Sequence, residues 1–233
     1  MPGSGFVGKL GADQIISVFQ AERIAEYTRD DFPPQVNVKE DGTAAPLRAE
    51  LYLAKTGQAH DIIVFTADAQ PATSEGEYEL AEEVIGFAEK HGVKTVYTLA
   101  AYITGAFPKT PKVYGSGTTK EMLSTISDRG VILMKDGGIT GMNGLIIGVA
   151  ALHGLSGACL LGETSGYVID AGASKAVIEV LGRVIEVNID TASLVKKAEE
   201  TRKLISQLQA MADQQARETA PAPARETRPG YIS

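Results

Sequence analysis

From residue 60 to residue 185, short apolar runs alternate with segments that have the 3.6-residue periodicity of a helix. Continuous apolar runs are typical of strands buried on both faces. Their alternation with helices predicts an α/β fold, a three-layer sandwich in which helices cover a mostly parallel central sheet. The predicted strands are 61–66, 93–101, 113–114, 131–134 and 158–161, and the predicted helices are 77–91, 118–129, 142–153 and 171–185.

The first sixty residues have a different pattern. Apolar residues recur at near-helical spacing between Ile15 and Ile24, which predicts a helix over 12–25. Prolines 33 and 34 then interrupt regular structure. Polar and apolar residues alternate over 35–40 up to an Asp-Gly turn, so we expect a β-hairpin that pairs 35–40 with 47–54.

Composition argues against several functional classes. The 233 residues carry 22 basic and 29 acidic side chains, a net charge of −7, and no tryptophan. A negative surface with few aromatic side chains repels phosphate backbones and offers no stacking platform, so nucleic-acid binding is not expected. The single cysteine, Cys159, excludes a disulfide framework and is expected in the core. No signal-like start and no run of 18 apolar residues is found, which predicts a cytoplasmic protein.

The C-terminal part is predicted to be a helix followed by a flexible tail. Leu194, Ala198 and Ile205 belong to a narrow apolar stripe, which predicts an amphipathic helix over 190–212 that packs on a partner or on its own domain. The tail over 213–233 is too poor in apolar residues to order itself. We therefore predict an α/β domain over 1–189, this helix and this tail. The last residues of the tail form a candidate partner-binding segment, Tyr231, Ile232 and Ser233.

One glycine-rich connection is the best candidate for a ligand cleft. It follows a predicted strand and precedes a predicted helix, the position where open α/β sheets bind ligands. A second strand delivers a carboxylate to what we expect to be the same rim. The alternative is a tight strand-to-helix connection capped by the asparagine. The candidate cleft residues are Gly137, Gly138, Gly141, Asn143, Gly144 and Glu163.

The remaining motifs do not support catalysis. The glycines over 3–8 match two phosphate-loop patterns, but no strand precedes them, which favours a glycine turn entering a helix. The three histidines do not assemble with other residues into a catalytic pattern, and no acidic metal cluster is present. We expect no catalytic residues, no metal and no cofactor. A small-molecule or nucleotide-binding enzyme that uses the candidate cleft is the alternative function.

Four sequence segments together resemble the proteasome assembly chaperone family of archaea and actinobacteria. They are Phe6-Val-Gly-Lys9, Asp31-Phe-Pro-Pro34, Gly138-Ile-Thr-Gly-Met-Asn-Gly144 and Cys159-Leu-Leu-Gly-Glu-Thr164, and the resemblance covers about residues 2–205. It implies a nucleoside-phosphorylase-like sandwich and an ATP-independent, homo-oligomeric chaperone that binds proteasome α-subunits or the α-ring. Resemblance to an enzyme fold does not confer its chemistry.

The sequence departs from that family at both ends. Family members begin with a strand before the Pro-Gly-x-Gly turn, whereas this sequence starts at Met1-Pro2. Members that dock through their tail end on a hydrophobic residue, a penultimate tyrosine and any residue. Here Tyr231 is third from last and follows Gly230.

Overall fold

Six helices and nine strands make up the computed structural model, which describes the backbone of residues 1–219 and the side chains of residues 1–207. After a 3-10 turn at Ser4–Phe6, the helices are α1 (Val7–Val18), α2 (Ser74–Lys90), α3 (Lys120–Ser127), α4 (Gly141–Leu152), α5 (Ala171–Val184) and α6 (Ala192–Thr219). The strands are β1 (Glu22–Tyr27), β2 (Val36–Val38), β3 (Ala44–Pro46), β4 (Ala49–Ala54), β5 (Ile62–Ala67), β6 (Thr95–Ile103), β7 (Val113–Gly117), β8 (Ile132–Leu133) and β9 (Ser156–Thr164).

The described strands form three separate sheets, and the predicted central sheet is confirmed only in part, because two pairings of the four-stranded sheet are parallel and one is antiparallel. The largest sheet has the order β6-β9-β7-β8 and is mixed, because β6 runs parallel to β9 whereas β7 runs antiparallel to it. A loop connects β6 to β7 without a crossover helix, so the chain returns in the opposite direction. A second sheet, β1-β4-β5, is antiparallel throughout. Apolar runs alone do not encode strand direction.

Two predictions for the N-terminal region are wrong. The first helix ends at Val18, and residues 22–27 form β1. The hairpin closes sooner than expected, because Lys39 N–H donates to the Thr43 carbonyl at 2.9 Å and the chain returns at once as β3. The segment predicted to return as the hairpin partner contains β4, which pairs with β1 and β5 instead.

Helices pack on both faces of the mixed sheet, as predicted. Alternate residues of β9 face opposite ways: a Cβ on Gly162 would meet Ala173 of α5, and one on Gly157 would meet Ile147 of α4. One apolar core joins α1, α3, α5 and α6 to the sheets, and a second joins α2 and α4 to them. Cys159 is fully buried, as expected from the sequence.

Helix α6 packs along α5 through the start of the predicted apolar stripe. Leu194 and Ala198 are buried there, and Gln14 of α1 donates to the Asp190 carbonyl at 2.7 Å just before the helix begins. The helix continues to Thr219, seven residues beyond the predicted end at 212. The division into a domain, a helix and a tail stays a prediction.

Candidate functional site

The glycines of the candidate cleft lie in the connection between β8 and α4. Gly137 and Gly141 have φ angles of 112° and 70°, a left-handed conformation that favours glycine. A Cβ on Gly144 would lie 1.9 Å from the Ile139 carbonyl oxygen. Gly138 has open space where its Cβ would be, as Gly137 does. Chain geometry therefore explains Gly141 and Gly144 without a ligand. Gly137 and Gly138 are exposed to solvent.

Asn143 does not cap α4. The helix begins at Gly141, so its N-cap is Thr140, whose side chain makes no capping hydrogen bond. Gln70, which follows β5, supplies the acceptor instead: its Oε1 receives the Met142 N–H at 3.1 Å. The backbone carbonyl of Asn143 accepts a hydrogen bond from Thr98 Oγ1 at 3.0 Å. Sequence reasoning missed Gln70 because it lies 72 residues from its partner.

Glu163 lies at the end of β9 and has partners of its own. Its Oε2 accepts the backbone N–H of Lys112 at 3.1 Å, and its own N–H donates to the Lys112 carbonyl at 2.9 Å. The carboxylate therefore fixes the start of β7. Within the described residues, no hydrogen bond joins Glu163 to the glycine connection.

Two surface cavities lie along α5. One of about 640 Å³ is lined by the end of α5 and the segment after it, and one of about 440 Å³ lies between α5, α6 and residues 109–113. Neither is lined by the glycine connection or by Glu163. A ligand cleft made of those residues stays a prediction.

The N-terminal glycines serve close packing. A Cβ on Gly8 would lie 2.1 Å from the Leu99 carbonyl oxygen of β6, so only glycine lets α1 approach that strand. Gly5 has a φ of 61° and stands in the 3-10 turn that leads into the helix. The glycine turn expected from the sequence is thus what the structure contains.

A buried network joins this turn to the ends of β9 and α5. The Gly5 carbonyl accepts Asp170 N–H at 2.8 Å, and the Asp170 carboxylate accepts Ala173 N–H at 2.9 Å, which caps α5. Thr164 Oγ1 donates to the same carboxylate at 2.7 Å. Asp170 is 2% exposed. Its role was not predicted, although an aspartate one residue before a predicted helix is a capping signal.

The perturbed titratable groups have structural causes. Burial raises the pKa of the Cys159 thiol to about 11, so it is a poor nucleophile. Hydrogen bonds that the His153 imidazole donates to the carboxylates of Glu82 and Glu89 raise the pKa of this exposed histidine. The Arg29 guanidinium lowers the pKa of Asp31. None of these groups contacts the candidate cleft residues through the described hydrogen bonds.

The described part of the chain presents neither a metal cluster nor a membrane span. No three His, Cys, Asp or Glu side chains within it come together where they would hold a metal ion. No helix between residues 1 and 219 combines the length and apolar character that crossing a bilayer requires. The predicted partner-binding segment, Tyr231, Ile232 and Ser233, lies outside the described residues.

The fold is that of a mixed α/β protein in which Gly8 and Gly144 allow close packing and the Glu163 and Asp170 carboxylates hold the backbone. The PAC2 family model matches residues 1–209, so the chain belongs to the PAC2 family. A relative in Methanocaldococcus jannaschii, an uncharacterized protein, is 34% identical over 233 residues, covering 100% of this chain and 90% of the relative.

Two solved structures of Pyrococcus furiosus proteins are similar. PbaB, described as an archaeal proteasome activator, has a TM-score of 0.82 and 29% identity, covering 89% of this chain and 90% of its own. PbaA, described as an archaeal homolog of proteasome-assembly chaperone, has a TM-score of 0.76 and 29% identity, covering 93% and 88%. The resemblance predicted from the sequence is confirmed. The likeness to nucleoside phosphorylases stays a prediction.

Proposed function

We propose that this protein is an ATP-independent, non-enzymatic proteasome assembly chaperone or proteasome-binding factor that binds core-particle α-subunits as a homo-oligomer. The observation that carries the proposal is the match over about nine-tenths of both chains to a proteasome activator. Similarity to a proteasome-assembly chaperone homolog also supports it. The descriptions of both relatives support a partner in the proteasome.

The C-terminal segment is the proposed contact with that partner. Helix α6 runs unbroken to Thr219, 17 residues beyond Arg202, which adds about 25 Å of helix. A further 14 residues follow in the sequence and lie outside the described residues. Tyr231 and Ile232 are the proposed aromatic and aliphatic anchors, and several copies of this segment on an oligomer would bind together.

Size-exclusion chromatography with light scattering tests the proposal. The full chain and a variant that lacks residues 216–233 are each run alone and with α-subunits from the same source. We expect the full chain to co-elute with α-subunits and the shortened chain not to. Co-elution of both would assign the contact to the α/β domain, and co-elution of neither would refute α-subunit binding.

The alternative, a small-molecule enzyme, draws no support from the geometry, because Glu163 and the glycine connection are held by separate partners. A thermal-shift screen with nucleosides, nucleotides and phosphate tests it independently. A ligand at 100 times its Kd would add about 2.7 kcal/mol to the stability of the protein. We expect no shift from any of these compounds.

A further inference from the structure

Four large apolar side chains are exposed together where β6 and β9 end. The exposed fractions are 40% for Phe6, 59% for Ile103, 88% for Tyr167 and 55% for Ile169. Single exposed apolar residues are common on folded proteins, whereas a contiguous group with aromatic members is typical of a protein-binding surface. We call these four residues the apolar rim.

Backbone contacts hold the segments of the apolar rim side by side. The carbonyl of Gly5, next to Phe6, accepts the N–H of Asp170, next to Ile169, at 2.8 Å. Asp170 is itself buried and caps α5. This end of the rim is therefore anchored to the core.

The other two members are joined in a similar way. A Cβ on Gly166 would lie 3.3 Å from the side chain of Ile103, so this isoleucine packs against the residue that precedes Tyr167. Thr104 N–H donates to the Thr164 carbonyl at 3.0 Å, which extends the β6–β9 pairing up to this point. The rim residues therefore lie on neighbouring segments at the ends of two paired strands.

The size of the apolar rim indicates what it can bind alone. Its four side chains expose on the order of 400 Å², comparable with the largest apolar patch of a typical monomer, about 300–600 Å². A stable protein–protein interface buries about 800 Å² on each partner. A lasting complex through the rim therefore needs a second point of contact on the same chain.

Helix α6 leads the chain away from this same end of the molecule. The guanidinium of Arg202 donates to the Lys109 carbonyl at 2.7 Å and lies 3.3 Å from where a Cβ on Gly172 would be, in the first turn of α5. Beyond Arg202 the helix continues past the first turn of α5 to Thr219. The described backbone of α6 therefore extends beyond the end of the molecule that carries the apolar rim.

We propose that the apolar rim is a second contact surface for the protein partner that the tail binds, the α-subunits of the proposed function on which this inference rests. The matching surface on the partner is apolar. Two contacts on one chain act together, since the second binds at the high effective concentration that the first creates. The rim supplies an aromatic and aliphatic surface, and the C-terminal segment supplies the other proposed contact.

The double variant Tyr167→Ser/Ile169→Ser tests this surface in the full chain. The matched control is Tyr78→Ser, which removes a tyrosine that is 58% exposed on α2. Affinity for α-rings, mass by light scattering and thermal midpoint are measured for both variants. We expect the double variant to bind about tenfold more weakly, with mass and midpoint unchanged, and the control to bind like the unmodified chain.

Two outcomes would overturn the inference while the proposed function stands. The first is unchanged affinity of the double variant when removal of residues 216–233 abolishes binding. The second is a lower mass of the double variant alone, which would make the rim an interface between copies of this chain. Failure of the unmodified chain to bind α-rings would instead refute the proposed function, and this inference with it.

Discussion

Replacing Gly8 by alanine tests whether close packing explains the N-terminal glycines. The added Cβ would lie 2.1 Å from the Leu99 carbonyl oxygen, so α1 and β6 must separate by about 1 Å to restore an ordinary contact. Both partners are backbone and cannot rotate away, which places the cost near the upper end of the usual overpacking range, about 3 kcal/mol. Alanine regains about 1 kcal/mol of helix propensity, leaving a net loss of about 2 kcal/mol.

The matched control is Gly148→Ala in α4. Gly148 is exposed, and its added Cβ would have no neighbour within 4 Å, so only the propensity gain of about 1 kcal/mol applies. Thermal unfolding followed by circular dichroism at one protein concentration should show opposite shifts: about 4–8 °C down for Gly8→Ala and about 2–4 °C up for Gly148→Ala. A Gly8→Ala variant at least as stable as the unmodified chain would refute the packing argument.

Three further perturbations follow from buried or charged contacts. Asp170→Ala removes the N-cap of α5 and leaves the buried Thr164 hydroxyl without its acceptor, so urea denaturation should show a free energy of unfolding lower by about 2–4 kcal/mol. A decrease below about 1 kcal/mol would contradict this. Arg29 lowers the pKa of Asp31, so the stability that this pair contributes is present above the ordinary carboxyl pKa and is lost as pH falls through the lowered pKa. In Arg29→Met this loss of stability at acid pH should disappear. An unchanged dependence of stability on acid pH would argue against the pair. The raised pKa of His153 has the opposite sign: its contribution is present below about pH 6.5 and lost as pH rises through the folded pKa, which an NMR titration of the imidazole should place above the ordinary value.

Local signals predicted the bounds of α4 and α5 well and strand direction poorly. The observed α4 and α5 each start and end within one residue of the predicted bounds, because their apolar periodicity and terminal residues are local. The antiparallel placement of β7 and the pairing of β4 with β1 and β5 depend on contacts between distant segments. No local pattern carries that information.

The candidate cleft shows the same limit. The sequence correctly indicated a glycine connection between a strand and a helix, but Gln70 and Thr98, which hold it, come from other strands or strand ends. The expectation that Glu163 lies at the same rim as the glycine connection assumed that the strands leading to the two run parallel. In the structure Glu163 is instead bound to the backbone that enters β7. The exposed apolar residues around Tyr167 were not predicted, since exposure is a property of the assembled fold.

The affinity of a single-residue variant for α-rings tests the central claim most directly. Tyr231→Ala changes only the proposed anchor, and Tyr78→Ala is its control on the exposed face of α2. Rings are immobilised, and each variant is titrated by biolayer interferometry. The proposed function predicts that the full chain binds, that Tyr231→Ala binds at least about tenfold more weakly, and that Tyr78→Ala binds normally. Equal affinity of all three chains would contradict the role of the tail, and no binding by the full chain would contradict the proposed function itself.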